Sequence, residues 1–589
     1  MDTSAASHTN MSLIKFFRTF FRILAPEASF YWLAVIYGVG ISLLSLATPI
    51  SVQMLINTVA NTALTAPLIL LSATLFGLLV VSGLLNALRI HLMELFGRRF
   101  YARMVAEMSI RSIYAQNPFF DDTSRAALFN RYFDIVVVQK SVPVLFIGGF
   151  TVLLQAGVGF VLVSLYHPLF LLFNLILIGL IWVVWMIWGA SAIRSAIALS
   201  HAKHQTAGWL EAIGASNGFF KSERRIAYAL DTTDTYTESY VKEHKRHFRR
   251  HFSQTLSFLL IYAAASAVLL GLGGWLVIQS QLTLGQLVAA ELVLSAAFFG
   301  VSQLGTYLVY FYDLCAAIDE LSLFHDVEQE HRSDEEPVRV QGNALEFSGL
   351  RGQARSRPAI IHMEIPSGAT VMAAASNHGV QRLFTDIIER HALPEGGYAA
   401  LGGIDLTDLD VYHLRQSILV LDRSSFVSMS IRQYLRMSCA ESASERMLSA
   451  LETVGLSSTI ASLPEGLDTK IAMTGWPLST SETLRLKLAN ALIARPRILV
   501  LNQLFDLLEE EHLAAAIAEL RDRSDTTVIY FSNRRVDLGF DTFLHMENSR
   551  QRFFETFEDF CLAAHGTQPP RPASPRLLSQ QQINLIGEN

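Results

Sequence analysis

Six apolar runs constrain this chain more than any other feature. A helix needs about 20 consecutive apolar residues to cross the hydrocarbon core of a bilayer. Runs of that kind occur near Tyr31–Thr58, Leu68–Leu95, Val142–Leu165, Leu169–Ala190, Leu256–Ile278 and Leu284–Tyr310. With 51% of 589 residues hydrophobic and 17% charged, the N-terminal half reads as an all-α, six-span membrane domain. The net charge of -6 implies no nucleic-acid partner. Three scattered cysteines suit a reducing compartment and form neither a metal-ligand spacing nor a disulfide framework. Met1–Asn10 is polar and lacks the pattern of a cleaved leader.

Charge sets the orientation. The short connectors Asn57–Ala66, Ser164–Pro168 and Gln279–Thr283 contain no Lys or Arg, whereas Gly97–Lys140 and Ser191–Gln254 are rich in both. The positive-inside rule then assigns both long stretches, and both termini, to the cytoplasmic side of a multi-pass protein of the cell (inner) membrane. Apolar residues at helical spacing, as in Tyr101, Met104, Val105 and Met108, imply that the membrane helices continue beyond the bilayer. Pro118 breaks the first extension, and Gly208, Gly214 and Gly218 mark the break expected in the second. Aromatic pairs lie at both turns: Phe119 with Phe120, and Phe219 with Phe220. Phe16–Arg22 mixes aromatics with cations, as an interfacial helix or a cytosolic lead-in would. Glu291 is the lone acid of the last span, facing either a lumen or a neighbouring helix.

The charged, proline-terminated stretch Gln329–Pro337 marks a domain boundary. The resulting division is a cytoplasmic N-terminus (1–29), a membrane domain (30–328), a linker (329–341), an α/β domain (342–563) and a disordered tail (564–589). Strands are expected at Thr370–Ala375, Ser417–Leu421, Arg497–Leu501 and Thr527–Phe531. Helices are expected at Gln381–His391, Ser444–Val454, Thr480–Ala494 and Glu509–Arg521.

Several segments are shared with one family. Pro366–Val371 looks like the strand entering a Walker A loop, and Leu414–Ile418 like the approach to a Q-loop. Leu463-Pro464-Glu465-Gly466-Leu467-Asp468-Thr469 matches the segment before a signature motif, and Ala491–Leu499 the passage into Walker B. In the membrane half, Asn117–Asp121 and Gly285-Gln286-Leu287 agree. The chain thus resembles a half-transporter of the ATP-binding cassette (ABC) exporters. The resemblance implies a type I exporter membrane domain fused to a P-loop NTPase-like cassette, working as a dimer.

At the positions that carry the family's chemistry the residues differ. A Walker A loop needs glycines whose N–H groups curl around phosphate, a Lys on the β/γ oxygens and a hydroxyl on Mg²⁺. Counted from Gly368, the glycine positions hold Ala375, His378 and Val380, and Gly379 occupies a non-glycine place. The Lys position holds Gln381, and the hydroxyl positions hold Arg382 and Leu383. The Q-loop glutamine is Arg423, the Walker B acid Asn502, the catalytic acid Gln503 and the closing histidine Asn533. The signature stretch is Leu478-Ser479-Thr480-Ser481-Glu482. There Ser479 either meets a partner's γ-phosphate or simply caps the following helix; both can hold.

Phosphoryl transfer depends on positioning and electrostatics, so this cassette is expected to carry no catalytic residue, metal or cofactor of its own. ATP and Mg²⁺ would belong to a partner cassette. The expected function is the non-catalytic half of a heterodimeric exporter, in contact with membrane lipid, an intact half (or itself) and an exported substrate. Alternatives are a membrane scaffold or regulator that keeps the fold, and a homodimer that moves substrate without ATP.

Overall fold

The computed structural model describes residues 13–61, 65–117, 120, 126–330, 340, 342–438 and 444–566. Of the tail expected at 564–589, residues 567–589 lie outside them, as do most of the linker and Phe119, whereas Ala564 and His565 close the last helix instead of belonging to a disordered tail. The chain divides into two compact units, Met1–Glu330 and His331–Asn589.

The first unit is helical: α1 (Leu13–Leu24), α2 (Ala28–Leu44), α3 (Ala47–Asn61), α4 (Thr65–Ile113), α5 (Tyr132–Val144), α6 (Phe150–Ser164), α7 (Pro168–Ala215), α8 (Glu223–Ile278) and α9 (Leu284–His325). Among the described residues, six helical stretches are long and apolar enough to cross a membrane, one at each expected run. Two of them are interrupted where proline forbids a regular ladder. Pro49 sits in the first turn of α3, where its missing N–H is tolerated. Pro143 ends α5, and the wider π-turn Leu145–Gly149 follows before α6 resumes. The polar extensions are helical, as their spacing implies. The second break falls at residues 216–222, so Gly208 and Gly214 lie within α7. Gln329 does not leave the unit at once: Ala115 bridges to it, and the Glu330 N–H donates to the Tyr114 carbonyl at 2.8 Å.

The second unit is α/β. Strands β1 (Leu345–Ala354), β2 (Arg357–Ile365), β3 (Thr370–Ala375), β4 (Gly396–Leu401), β5 (Ile404–Asp405) and β6 (Ile418–Leu421) come first. They are followed by β7 (Met429–Ser430), β8 (Lys470–Ile471), β9 (Ile498–Leu501), β10 (Thr527–Phe531), β11 (Thr542–Met546) and β12 (Gln551–Phe554). The helices are α10 (His378–Ile388), α11 (Val411–Ser417), α12 (Ile431–Arg436), α13 (Ser444–Thr453), α14 (Ser457–Ser462), α15 (Thr480–Ala494), α16 (Glu510–Ser524) and α17 (Phe557–His565).

An antiparallel sheet in the order β2-β1-β4-β5 adjoins a six-stranded sheet in the order β12-β11-β3-β10-β9-β6. In the larger sheet the pairs β11/β3, β3/β10, β10/β9 and β9/β6 are parallel. Parallel strands are covered on both faces and read as continuous apolar runs. Accordingly β10 sends Val528 and Tyr530 into one buried cluster and Ile529 and Phe531 into the other. The parallel strands end together at Ala375, Leu421, Leu501 and Phe531. In open α/β sheets the crevice outside these carboxyl ends is where ligands bind.

Candidate site at the carboxyl edge of the cassette sheet

Along that edge, side chains at the strand-to-helix junctions bond to one another and to nearby backbone. Ala375 closes β3, and only Ser376 and Asn377 separate it from α10. A phosphate-cradling loop needs a longer open run before its helix. Here the helix starts three residues before Gln381, with Asn377 as its N-cap. Its Oδ1 accepts from the Val380 N–H at 3.2 Å, and its Nδ2 donates to Asn548 Oδ1 at 2.7 Å. His378, Gly379, Val380, Gln381, Arg382 and Leu383 are therefore helical. Gly379 is glycine for a packing reason: a Cβ there would stand 2.9 Å from the Ala354 carbonyl carbon at the end of β1. The junction is thus closed down on the hairpin β1–β2.

Across the edge, Gln503 Nε2 donates to Gln381 Oε1 at 2.8 Å, and Gln381 is 3% exposed. Asn502, also buried, donates from Nδ2 to the Asp422 carbonyl at 2.6 Å and accepts the Leu504 N–H at 3.0 Å. The three amides Gln381, Asn502 and Gln503 thus satisfy a large share of one another's and the backbone's hydrogen-bonding demand at zero net charge. Arg382 turns aside to Asp386, 3.3 Å away, whose carboxyl burial pushes above its ordinary range.

The loop after β6, which contains Arg423, is held by a residue that sequence reasoning passed over. Lys487 of α15 is 9% exposed, and its Nζ donates to the carbonyls of Arg423 at 2.7 Å and Ser425 at 2.6 Å. Burial lowers its pKa, with the Asp422 charge opposing. A lysine amid apolar helix residues was the available signal.

A second network was also missed. Asp506, after β9, accepts from the Tyr530 hydroxyl, from Ser532 Oγ at 2.7 Å and from the Asn533 N–H at 3.0 Å. Arg534 donates to the carbonyls of Asp506, at 2.9 Å, and of Leu508, and lies 3.5 Å from Glu510. Burial pushes the Tyr530 hydroxyl's pKa up. Asn533 therefore enters this network through its backbone.

The stretch Leu478–Glu482 stands apart from these bonds. Ser479 caps α15 in a reciprocal box: its N–H donates to Glu482 Oε2 at 2.8 Å, and the Glu482 N–H donates to Ser479 Oγ at 3.3 Å. That backbone hydrogen bond from Ser479 leads the causes holding the Glu482 carboxyl below its usual range. Thr480 and Ser481 form the first turn, and Leu478 is buried.

In the helical unit, Phe219 and Phe220 end the turn Asn217–Phe220 between α7 and α8. Phe219 is 55% exposed, with the Arg225 guanidinium 4.2 Å from its ring centre. Phe220 packs edge-on against Trp209. Phe120 packs edge-on against Phe129. Glu291 accepts from Ser295 Oγ at 3.0 Å, while its buried Oε2 has no partner among the described residues. Those residues contain no cluster of three or more His, Cys, Asp or Glu suited to a metal.

A six-helix membrane unit followed by this cassette is the architecture of an ABC exporter half, and the chain is a multi-pass membrane protein. A solved bacterial Atm1-family ABC exporter with ATP bound superposes with a TM-score of 0.77 at 17% identity, covering 90% of this chain and 96% of that one. In sequence, the leukotoxin translocation ATP-binding protein LktB of Mannheimia glucosida is 26% identical over 262 residues, which is 43% of this chain. The same protein of a Pasteurella haemolytica-like species is 25% identical over the same length. The match spans only 37% of the length of these relatives. No protein-family model matches the chain.

Proposed function

We propose that this chain is the non-catalytic half of an exporter, whose cassette neither cradles phosphate nor hydrolyses ATP and whose energy comes from an ATP-hydrolysing partner half. The observation that carries the reading is the 2.8 Å hydrogen bond from Gln503 Nε2 to Gln381 Oε1. It joins the two positions where hydrolysis needs a cation on the phosphates and an acid beside water. Support comes also from Asn377, whose cap occupies the first-turn N–H that a phosphate would need. In this reading the basic stretches and both termini face the cytoplasm of the inner membrane, and ATP and Mg²⁺ are held by the partner's cassette.

The exposed Phe219 fits a coupling role toward the partner, since an aromatic side chain gains roughly 1.5–3 kcal/mol on full burial. The test is purification of the chain alone and with co-purified partner. The lone chain should show no ATPase activity and no thermal shift with millimolar Mg·ATP, because a ligand that does not bind the native state cannot stabilise it. Turnover that disappears in Asn502→Ala would overturn the reading. Gln381→Lys with Asn502→Asp and Gln503→Glu should stay inactive, because the helix still begins at His378.

A further inference from the structure

One stripe of α8 lies outside the cassette site described above. Between Lys242 and Arg250 the helix carries five cations: Lys242, Lys245, Arg246, Arg249 and Arg250. Arg246 lies 3.5 Å from Glu243, and Arg250 donates to the Ser191 carbonyl at 2.5 Å. Lys242, Lys245 and Arg249 are exposed, and their side chains have neither ion pair nor hydrogen bond among the described residues. Their side chains, with Arg246, border a groove of about 430 Å³ whose one acid is Glu238.

The three unpaired cations are spaced three and four residues apart, and that spacing continues through Phe252, Leu256 and Leu259. Residues so spaced share one helix face. Phe252, Leu256 and Leu259 are 53%, 46% and 44% exposed, and Phe252 stacks on the exposed Phe248 with ring centres 5.6 Å apart. A single face therefore passes from apolar, through aromatic, to cationic. This is the polarity profile of one bilayer leaflet, with hydrocarbon inside, aromatics at the boundary and charge at the headgroups. At 1.5 Å per residue, Arg249 stands about 10 Å beyond Leu256 and Lys245 about 16 Å. The headgroup layer is about 5–8 Å deep on each side, and the field of an anionic surface reaches roughly a Debye length of 8–10 Å beyond it.

We propose that this stripe is a docking site for anionic phospholipid. Headgroup oxygens would accept from Arg249, while Lys245 and Lys242 would add the attraction of their charge, and an acyl chain would lie along Phe252, Leu256 and Leu259. The site rests on the membrane orientation proposed above and is independent of what the cassette does. Phosphate chemistry is shared by lipids and by free anions, but the apolar continuation of the stripe favours the lipid.

The full-length chain, delipidated in detergent, would be titrated with phosphatidylglycerol or phosphatidylcholine, with bound lipid read by native mass spectrometry. Phosphatidylglycerol should bind at least about tenfold tighter than phosphatidylcholine at low salt, and the difference should shrink as salt rises. The triple variant Lys242→Gln, Lys245→Gln, Arg249→Gln should lose that preference, and Lys242→Arg with Lys245→Arg should keep it. Equal binding of both lipids by the native chain would overturn the proposal, as would an unchanged preference in the triple variant. Displacement of the lipid by equimolar inorganic phosphate would also overturn it, by marking a generic anion patch. The salt series on the native chain decides the matter even if the triple variant is not monodisperse.

Discussion

At the same edge of one sheet, two side-chain clusters, one joining the start of α10 to the residues just after β9 and the other joining Asp506 to the loop after β10, are built in opposite ways. The first is neutral: Asn377, Gln381, Asn502 and Gln503 satisfy one another and nearby backbone without a formal charge. The second is ionic: Asp506 gathers three donors, and Arg534 spans Asp506, Leu508 and Glu510. A buried charge persists only when it is paired and hydrogen-bonded. In the first cluster amides bond to amides and to backbone. Where the counter-charge is another side chain of the same cassette, the charges stay. The contrast separates two ways of satisfying polar groups at one sheet edge, by neutral amides and by paired charges.

Four substitutions can break or sharpen this contrast. The largest effect is expected from Asp506→Ala, which strips the acceptor from Tyr530, Ser532 and Asn533 and leaves Arg534 with less compensation. Such a loss costs about 3 kcal/mol or more. Denaturant unfolding of the full chain, followed by a cassette-specific probe, should show it; an unshifted midpoint would mean that the loops do not depend on this hub. Next comes Lys487→Met, which leaves the carbonyls of Arg423 and Ser425 without their donor. About 2 kcal/mol should be lost, with faster proteolysis in the loop after β6 as the local readout.

Gln381→Leu isolates the Gln503 amide and should cost about 1–2 kcal/mol, while adding Gln503→Leu should recover part of it. A double-mutant cycle with zero coupling would show that the amide bond contributes nothing. The smallest effect concerns Glu482. Its folded carboxyl titrates below the ordinary value of 4.5, so its contribution is fully present above that pH and fades as pH falls through the folded pKa. Glu482→Gln keeps an acceptor for the Ser479 N–H, so its acid-side melting curve should be flatter than that of the native chain. Parallel curves would exclude the capping carboxylate as a source of acid sensitivity.

Much of the fold was legible from residue patterns. The helix expected at Thr480–Ala494 and the strands at Thr370–Ala375 and Thr527–Phe531 have those same limits. There, local signals agree with the tertiary context: Ser479 caps, and β-branched and aromatic runs fill a two-faced sheet. The helix expected from Gln381 instead starts at His378. Counting from Gly368 kept the register of a phosphate loop, whereas Asn377 supplied a stronger local instruction to begin the helix. Gly208 and Gly214 suggested a break that came later, because a glycine in a long packed helix costs only about 1 kcal/mol. Lys487, Asp506 and Arg534 escaped notice because their partners are side chains and carbonyls in loops from other strands. No local period marks such pairs.

By itself, the sequence determined six membrane-crossing helices, an α/β cassette behind them, and the amide identity of Gln381, Asn502 and Gln503. Those properties follow from the length of apolar runs, from period and from residue identity, which are local. Only the tertiary structure decided what the substituted residues do. It closed the β3 junction onto Ala354, bonded Gln381 to Gln503, set Lys487 on two carbonyls and made Asp506 a hub. A hydrogen bond is specified to within a few tenths of an ångström by the meeting of segments more than a hundred residues apart, as Gln381 and Gln503 are. That distance is fixed by packing and not by any pattern along the chain.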